Sequence, residues 1–213
     1  MANPPKKAVL LTPKFRVSFE SVFEKSAFGD STPAYSLVGL FYPTGSSDGK
    51  IPGFTDGEKE KWKAITAALN VVSVETFKKG WKELDRGIYK IPFHKGDEKS
   101  YEGYGDPKMI YFRMANSMVR PQVLDASGTR LTEENREEFY SGCWAQASVN
   151  PFANAKWKSL SIGLGNLKKV KDDTSFMGGT NAEDDFGGNA DEYAEQAADG
   201  DDFSIGGDDD PTA

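Results

Sequence analysis

The chain of 213 residues is 38% hydrophobic and 12% aromatic, enough for one domain with a real core but cramped for two. One cysteine, Cys143, and one histidine, His94, exclude an internal disulfide and leave no ligand set for zinc, haem or iron–sulfur chemistry, so neither metal nor cofactor is expected. No stretch approaches the roughly 18 apolar residues of a membrane span, and the apolar run at 8–11 is too short for a secretory signal, so a soluble cytoplasmic protein is expected.

The net charge of −7 conceals a segregation of signs along the chain. All 26 Lys and Arg lie at or before Lys171, where 19 Asp and Glu leave a net +7, whereas the last 42 residues carry 14 acids and no base. A basic body joined to an acidic tail that more than cancels it points to a polyanionic ligand whose place the tail can contest. The expected division is therefore a binding domain at 1–171 and a tail at 172–213.

In chain order, period-two alternation first marks a strand with Phe15, Val17, Phe19 and Phe23 on one face and Lys14, Arg16, Ser18 and Glu20 on the other. Residues 35–42, apolar on both faces, predict a central strand. Thr55 and Glu58 have capping-box spacing, and Trp62, Ile65 and Leu69 recur at helical intervals, predicting a helix of about 14 residues. Phe77, Trp81 and Leu84 mark a shorter second helix. Ile110, Phe112 and Met114 point inward from a further strand, with Met109, Tyr111 and Arg113 opposite. Residues 119–124 form a strand candidate leading into a turn at Asp125, Ala126, Ser127 and Gly128, and 132–139 read as a brief helical turn. Cys143, Ala145, Ala147 and Val149 then alternate with Trp144, Gln146, Ser148 and Asn150, and Leu160, Ile162 and Leu164 alternate with polar or small residues. Strands, helix and strands without βαβ alternation predict a mainly β fold, an OB-fold-like Greek-key barrel with a helical insertion. From Asp172 onward, paired glycines, repeated acids and almost no aliphatic residues predict a disordered tail, with Phe176, Phe186, Tyr193 and Phe203 as isolated anchors.

No phosphate-binding loop, nucleophile elbow, zinc-protease motif or dinucleotide fingerprint is present, so the chain does not read as an enzyme. His94 reads as a surface histidine and Cys143 as a buried, inert thiol. What remains is the interleaving of aromatic rings with cations that single-strand binding requires, because bases stack on π-faces while Lys and Arg follow the phosphates. Trp62, Trp81 and Trp157 all have lysine neighbours. Trp62 reads as a core anchor on its helix, and Trp81 similarly. Trp157, between Lys156 and Lys158, divides evenly between packing and stacking. Trp144 shares a strand face with Gln146 and other polar residues, which suggests an open platform, although a helix or a homodimer partner would also cover it. Tyr111 and Arg113 would extend that platform. Arg120, Lys168, Lys169 and Lys171 would supply phosphate contacts.

The run Glu138-Phe139-Tyr140-Ser141-Gly142-Cys143-Trp144-Ala145, the strand end Ser148-Val149-Asn150, the run Ile162-Gly163-Leu164-Gly165-Asn166-Leu167-Lys168-Lys169-Val170 and the later Ala182-Glu183-Asp184-Asp185-Phe186 resemble the single-stranded-DNA-binding proteins of tailed bacteriophages. The resemblance spans roughly residues 105–186. It implies an OB-fold core that binds single-stranded DNA regardless of sequence, a role in phage DNA replication and recombination in the infected host cell, and an acidic tail that contacts phage or host replication proteins. Asp184, Asp185 and Phe186, with Asp201, Asp202 and Phe203, are the candidate docking residues. The sequence departs from the family pattern at its end, where Asp208-Asp209-Asp210 is followed by Pro211-Thr212-Ala213 rather than by an aromatic. A rival reading from the charge pattern alone is a DNA-mimicking module whose tail engages a host DNA-binding protein.

Overall fold

A computed structural model of the chain describes residues 9–27 and 32–176. Eight strands and one long helix follow in the order β1 (Leu10–Leu11), β2 (Phe15–Ser26), β3 (Ala34–Phe41), α1 (Asp56–Phe77), β4 (His94–Lys95), β5 (Ile110–Asn116), β6 (Val123–Leu124), β7 (Trp144–Asn154) and β8 (Ser159–Lys171). Strand β7 pairs with both β2 and β8, so the path β7-β2-β3-β5-β8 closes on itself as a five-stranded barrel. All its contacts are antiparallel except that between β5 and β8. A small closed Greek-key barrel with this mixed pairing is OB-fold-like, as the alternation of residues predicts. Strands β1, β4 and β6 are two-residue additions at its rim.

The barrel interior collects the apolar side of each alternation. Phe15, Val17, Leu37, Phe112, Met114, Cys143, Ala145, Ala147, Leu160, Ile162 and Leu164 are all buried. Small residues on β7 leave room for the rings opposite, where Phe41 stacks on Phe112 at 4.6 Å. Burial also pushes the Cys143 thiol up to about 11, which leaves it protonated and inert.

The insertion between β3 and β5 carries α1, whose N-terminus is fixed by a complete capping box between Thr55 and Glu58. Ile65 and Leu69 are buried, and Trp62 meets Phe41, Phe54, Phe93 and Phe112 within about 6 Å. Lysines on either side of Trp62 are therefore incidental to a packing role. The helix runs for 22 residues rather than about 14. Its β-branched last turns are held by tertiary contacts, with Phe77 edge-on to Tyr89 at 5.0 Å and the Ser73 hydroxyl donating to the Lys79 carbonyl at 2.8 Å. The second helix reduces to one turn of 3-10 helix at Trp81–Glu83, where Trp81 packs edge-on against Phe93.

Three further expectations change. The strand at 119–124 shrinks to Val123–Leu124, with Val119 65% exposed, because Asn116 Oδ1 draws the Met118 and Val119 amides into a turn. Met109 is buried with Leu40 and Tyr42 in a second cluster, beneath Tyr104 and Phe176. Phe19 does not join the core: β2 bulges between Ser18 and Ser21, and Phe19 takes a φ of 47° and stands 56% exposed. One extra residue switches the inward parity, so Val22 is buried instead.

A candidate nucleic-acid interface on the outward face of the barrel

Register places six residues of different elements in one transverse row. Lys171 pairs with Trp144, Trp144 with Arg16, Arg16 with Leu40, Leu40 with Tyr111 and Tyr111 with His94. Directly opposed residues share a face, so this row crosses the outside of the barrel, opposite the core face of each strand. Its two ends differ in what lies over them.

At the Tyr111 end the surface is open. Tyr111 stacks on His94 with centroids 5.2 Å apart and meets Tyr104 edge-on at 5.2 Å. Two residues along β5, the Arg113 guanidinium donates to Ser36 Oγ at 3.1 Å, which aims it along the sheet. Tyr111, Arg113 and Val38 floor a groove of about 530 Å³ whose far wall is Phe152 and Trp157. Trp157 is 63% exposed at the tip of the β7–β8 hairpin, where its amide donates to Asn154 Oδ1 at 3.2 Å. Lys156 Nζ lies 5.3 Å from the Trp157 ring centroid, and Lys158 takes a φ of 46°, completing the tight turn. Three of the expected residues, Tyr111, Arg113 and Trp157, thus line one groove, and Lys156 and Lys158 flank Trp157 at the hairpin tip without lining it. Phe152 is not marked by the alternation of residues, because Pro151 interrupts it, yet β7 continues through the proline to Asn154. The proline is tolerated because this end of β7 has a paired neighbour, β8, on one side only.

At the Trp144 end the chain covers its own platform. After β8, residues 172–176 turn back across the barrel as a strap. The Trp144 indole N–H donates to Asp173 Oδ2 at 2.6 Å, and the Arg16 guanidinium lies 3.6 Å from Asp173 Oδ1 while donating to the Thr174 carbonyl at 2.6 Å. The Phe176 amide donates to the Ser141 carbonyl at 2.9 Å, and its ring lies under Arg16 at 4.3 Å. That ring also covers Gly103, where a Cβ would come within 2.4 Å of it. Burial works against ionisation of Asp173, but the Trp144 and Thr174 N–H groups and the charges of Arg16 and Lys171 outweigh it and hold the carboxyl below the usual carboxylate range. Lys171 lies 5.3 Å from the Trp144 ring. Lys169 is buried and ion-paired with Asp172 at 2.6 Å, which likewise holds the Asp172 carboxyl low.

The remaining expected residues lie in neither place. Gln146 and Lys168 oppose each other across β7 and β8 and line a separate cleft with Lys14 and Lys61 beside the start of α1. Arg120 is ion-paired with Glu133 at 2.8 Å. Asp184, Asp185, Phe186, Asp201, Asp202 and Phe203 lie outside the described residues, as does the expected disorder of the tail beyond residue 176. Among the described residues no helix is long and apolar enough to cross a membrane, and no group of three or more His, Cys, Asp or Glu is disposed to hold a metal ion.

A closed barrel with a stacking ring and a cation on its outward face, and a Lys-Trp-Lys hairpin at its rim, defines an OB-fold-like protein of the kind that binds nucleic acid. The model of the Enterobacter phage Enc34 single-stranded-DNA-binding protein family matches residues 8–201, and the chain belongs to that family. The match runs through the barrel and well into the acidic segment. It places the chain among binding proteins rather than enzymes. Among solved structures, the single-stranded-DNA-binding protein from bacteriophage Enc34 is similar in fold, with a TM-score of 0.59 and 21% identity over 82% of this chain and 87% of that one. The same phage protein in complex with single-stranded DNA gives a TM-score of 0.58 and 21% identity over 78% of this chain and 88% of that one. No curated protein matches the sequence.

Proposed function

We propose that the protein binds single-stranded DNA without regard to sequence, along the groove floored by Tyr111 and Arg113 and walled by Trp157, and that it serves phage DNA replication and recombination. The observation that carries this reading is the meeting in one groove of the Tyr111 ring, the Arg113 guanidinium and the Trp157 ring, with Lys156 and Lys158 beside Trp157 at the hairpin tip. The rings take bases of any identity, and the cations take phosphates. Family membership and the likeness to the phage Enc34 fold support it. The same face is the ligand face of OB-folds in general, together with the loop between the last two strands.

The binding domain occupies residues 1–171 and the acidic tail 172–213. Trp144 and Lys171 extend the binding row once the strap lifts, and Lys168 and Gln146 offer a lateral path for backbone. Lys169 acts indirectly, by holding Asp172. Fourteen acids tethered to a body of +7 act at an effective concentration on the order of millimolar, so the tail competes with DNA for the positive surface. Displaced by DNA, the segments around Phe186 and Phe203 become available to replication partners.

Titration with oligothymidylate, a mixed-sequence strand, a duplex and the matching RNA, read by tryptophan fluorescence, tests the reading. Similar affinities for the two DNA single strands and much weaker duplex binding are expected. Failure to bind any single strand would refute it.

A further inference from the structure

Phe19 combines two features that do not arise together by accident of packing. Its backbone takes a φ of 47°, a left-handed conformation unfavourable for a residue with a bulky side chain and usually left to glycine. Its ring gains only partial burial in return, the residue being 56% exposed. Strain at a residue left largely exposed is a mark of a side chain placed for contact with something else.

The surroundings say what that is. Phe19 meets Tyr101 edge-on at 5.3 Å, and Tyr101 is itself 54% exposed. Tyr101 meets Tyr104 at 5.8 Å, and Tyr104 meets Tyr111 at 5.2 Å. An unbroken series of rings therefore runs from the bulge of β2 to the stacking ring of β5. Phe19, Tyr101 and Tyr104 line a cleft of about 510 Å³ that shares Val38, Tyr111 and Arg113 with the groove leading to Trp157. Lys99 and Arg113 stand in this cleft as cations, and Glu20, which also lines it, accepts the Ser141 hydroxyl. An edge-on pair covers only one face of one of its two rings, so the exposed Phe19 and Tyr101 rings keep π-surface for a planar base, which an aliphatic peptide side chain does not need.

We infer that Phe19 and Tyr101 form a second base-stacking station, so that a single strand runs from Trp157 over Tyr111 and Arg113 to the bulge of β2. The inference rests on the proposed function, since it extends the same strand path. Lys99 meets the phosphate beyond Arg113, and the bulge exists to present the Phe19 ring at the cost of a strained backbone.

The test uses the full chain and an oligothymidylate longer than the ~16 nucleotides that one OB-fold covers at most. Phe19→Gly removes the ring and suits the backbone, so it is expected to melt within about 4 °C of the parent and to bind roughly five- to a hundredfold more weakly, the loss of one stacked base. Tyr101→Ala is expected to do the same, and Phe19→Trp to retain affinity. Independently of any variant, irradiation of the unaltered protein with an iodouracil-substituted strand is expected to cross-link the peptide containing Phe19 or Tyr101. Undiminished affinity in both variants, with cross-links confined to the peptides of Tyr111 and Trp157, would overturn the second station while leaving the groove intact. Absence of binding by the unaltered protein would instead overturn the proposed function itself.

Discussion

Trp144 and Asp173 are joined at 2.6 Å from indole nitrogen to carboxylate oxygen, so the ring that the sequence offers as an open platform is capped by the first residues of the acidic segment. The carboxylate occupies, between an indole N–H and Arg16, a position suited to a DNA phosphate. Asp173→Asn removes that charge without changing the shape. It is expected to raise affinity for single strands at low salt and to lower stability by no more than about 1 kcal/mol, because the pair is partly exposed. Equal affinity of the variant and the parent would show that the cap does not obstruct DNA.

Two truncations separate the strap from the rest of the tail. A chain ending at Phe176 keeps every strap contact and removes most of the acids, so it should bind more tightly than the full chain at 0.01 M salt and converge with it as the Debye length falls from roughly 30 Å to about 10 Å at 0.1 M. A chain ending at Lys171 also loses the Phe176 ring over Leu40, Tyr42 and Met109. That loss should lower stability by about 1.5–3 kcal/mol, visible as an earlier denaturant midpoint. Weaker DNA binding by the chain ending at Phe176 would favour the DNA-mimic reading, in which the tail itself is the recognition surface.

Acid should release the strap. The carboxyls of Asp172 and Asp173 titrate below their ordinary value of 3.8, so their contribution is complete above that value and is lost as the pH falls through the lowered ones. The indole N–H resonance of Trp144 reports this directly. It should hold steady from neutrality to about pH 4 and shift below it, whereas a change centred near neutrality would mean that another group controls the contact.

Salt dependence distinguishes lysines that meet phosphate from those that do not. Each phosphate neutralised contributes a slope of about −0.7 to log K against log salt for a single strand. Replacing Lys156 and Lys158 with Gln should make the slope shallower by about 1.4 if both meet phosphate, while Lys169→Gln should cost stability through loss of the Asp172 pair and leave the slope nearly unchanged. An unaltered slope for the first pair would remove the hairpin from the interface.

Much of this architecture is legible in the residues. The alternation of Cys143, Ala145, Ala147 and Val149 and of Leu160, Ile162 and Leu164 places those side chains inside, where they are, and the Thr55–Glu58 spacing marks the start of α1. Period two fails at Phe19 because a bulge depends on the backbone of a single residue, which hydrophobicity does not report. Phe152 is hidden behind a proline that only a strand with one free side tolerates. The cap on Trp144 joins residues 29 apart through a hydrogen bond, and an ion pair ties the same Asp173 to the distant Arg16, so nothing local in any of these segments records it. Tyr111, Arg113 and Trp157 are each visible as aromatic or basic residues off the core face. Their meeting in one groove follows from barrel closure, which short-range pattern cannot supply.

The central claim is that single-stranded DNA lies in the groove of Tyr111, Arg113 and Trp157, and its most direct measurement is the affinity of Tyr111→Ala for oligothymidylate at fixed salt. The variant, folded by circular dichroism, should bind about 1–3 kcal/mol more weakly than the parent, with Trp157→Ala behaving alike. Parental affinity in both variants would contradict the account and move the binding surface elsewhere on the barrel.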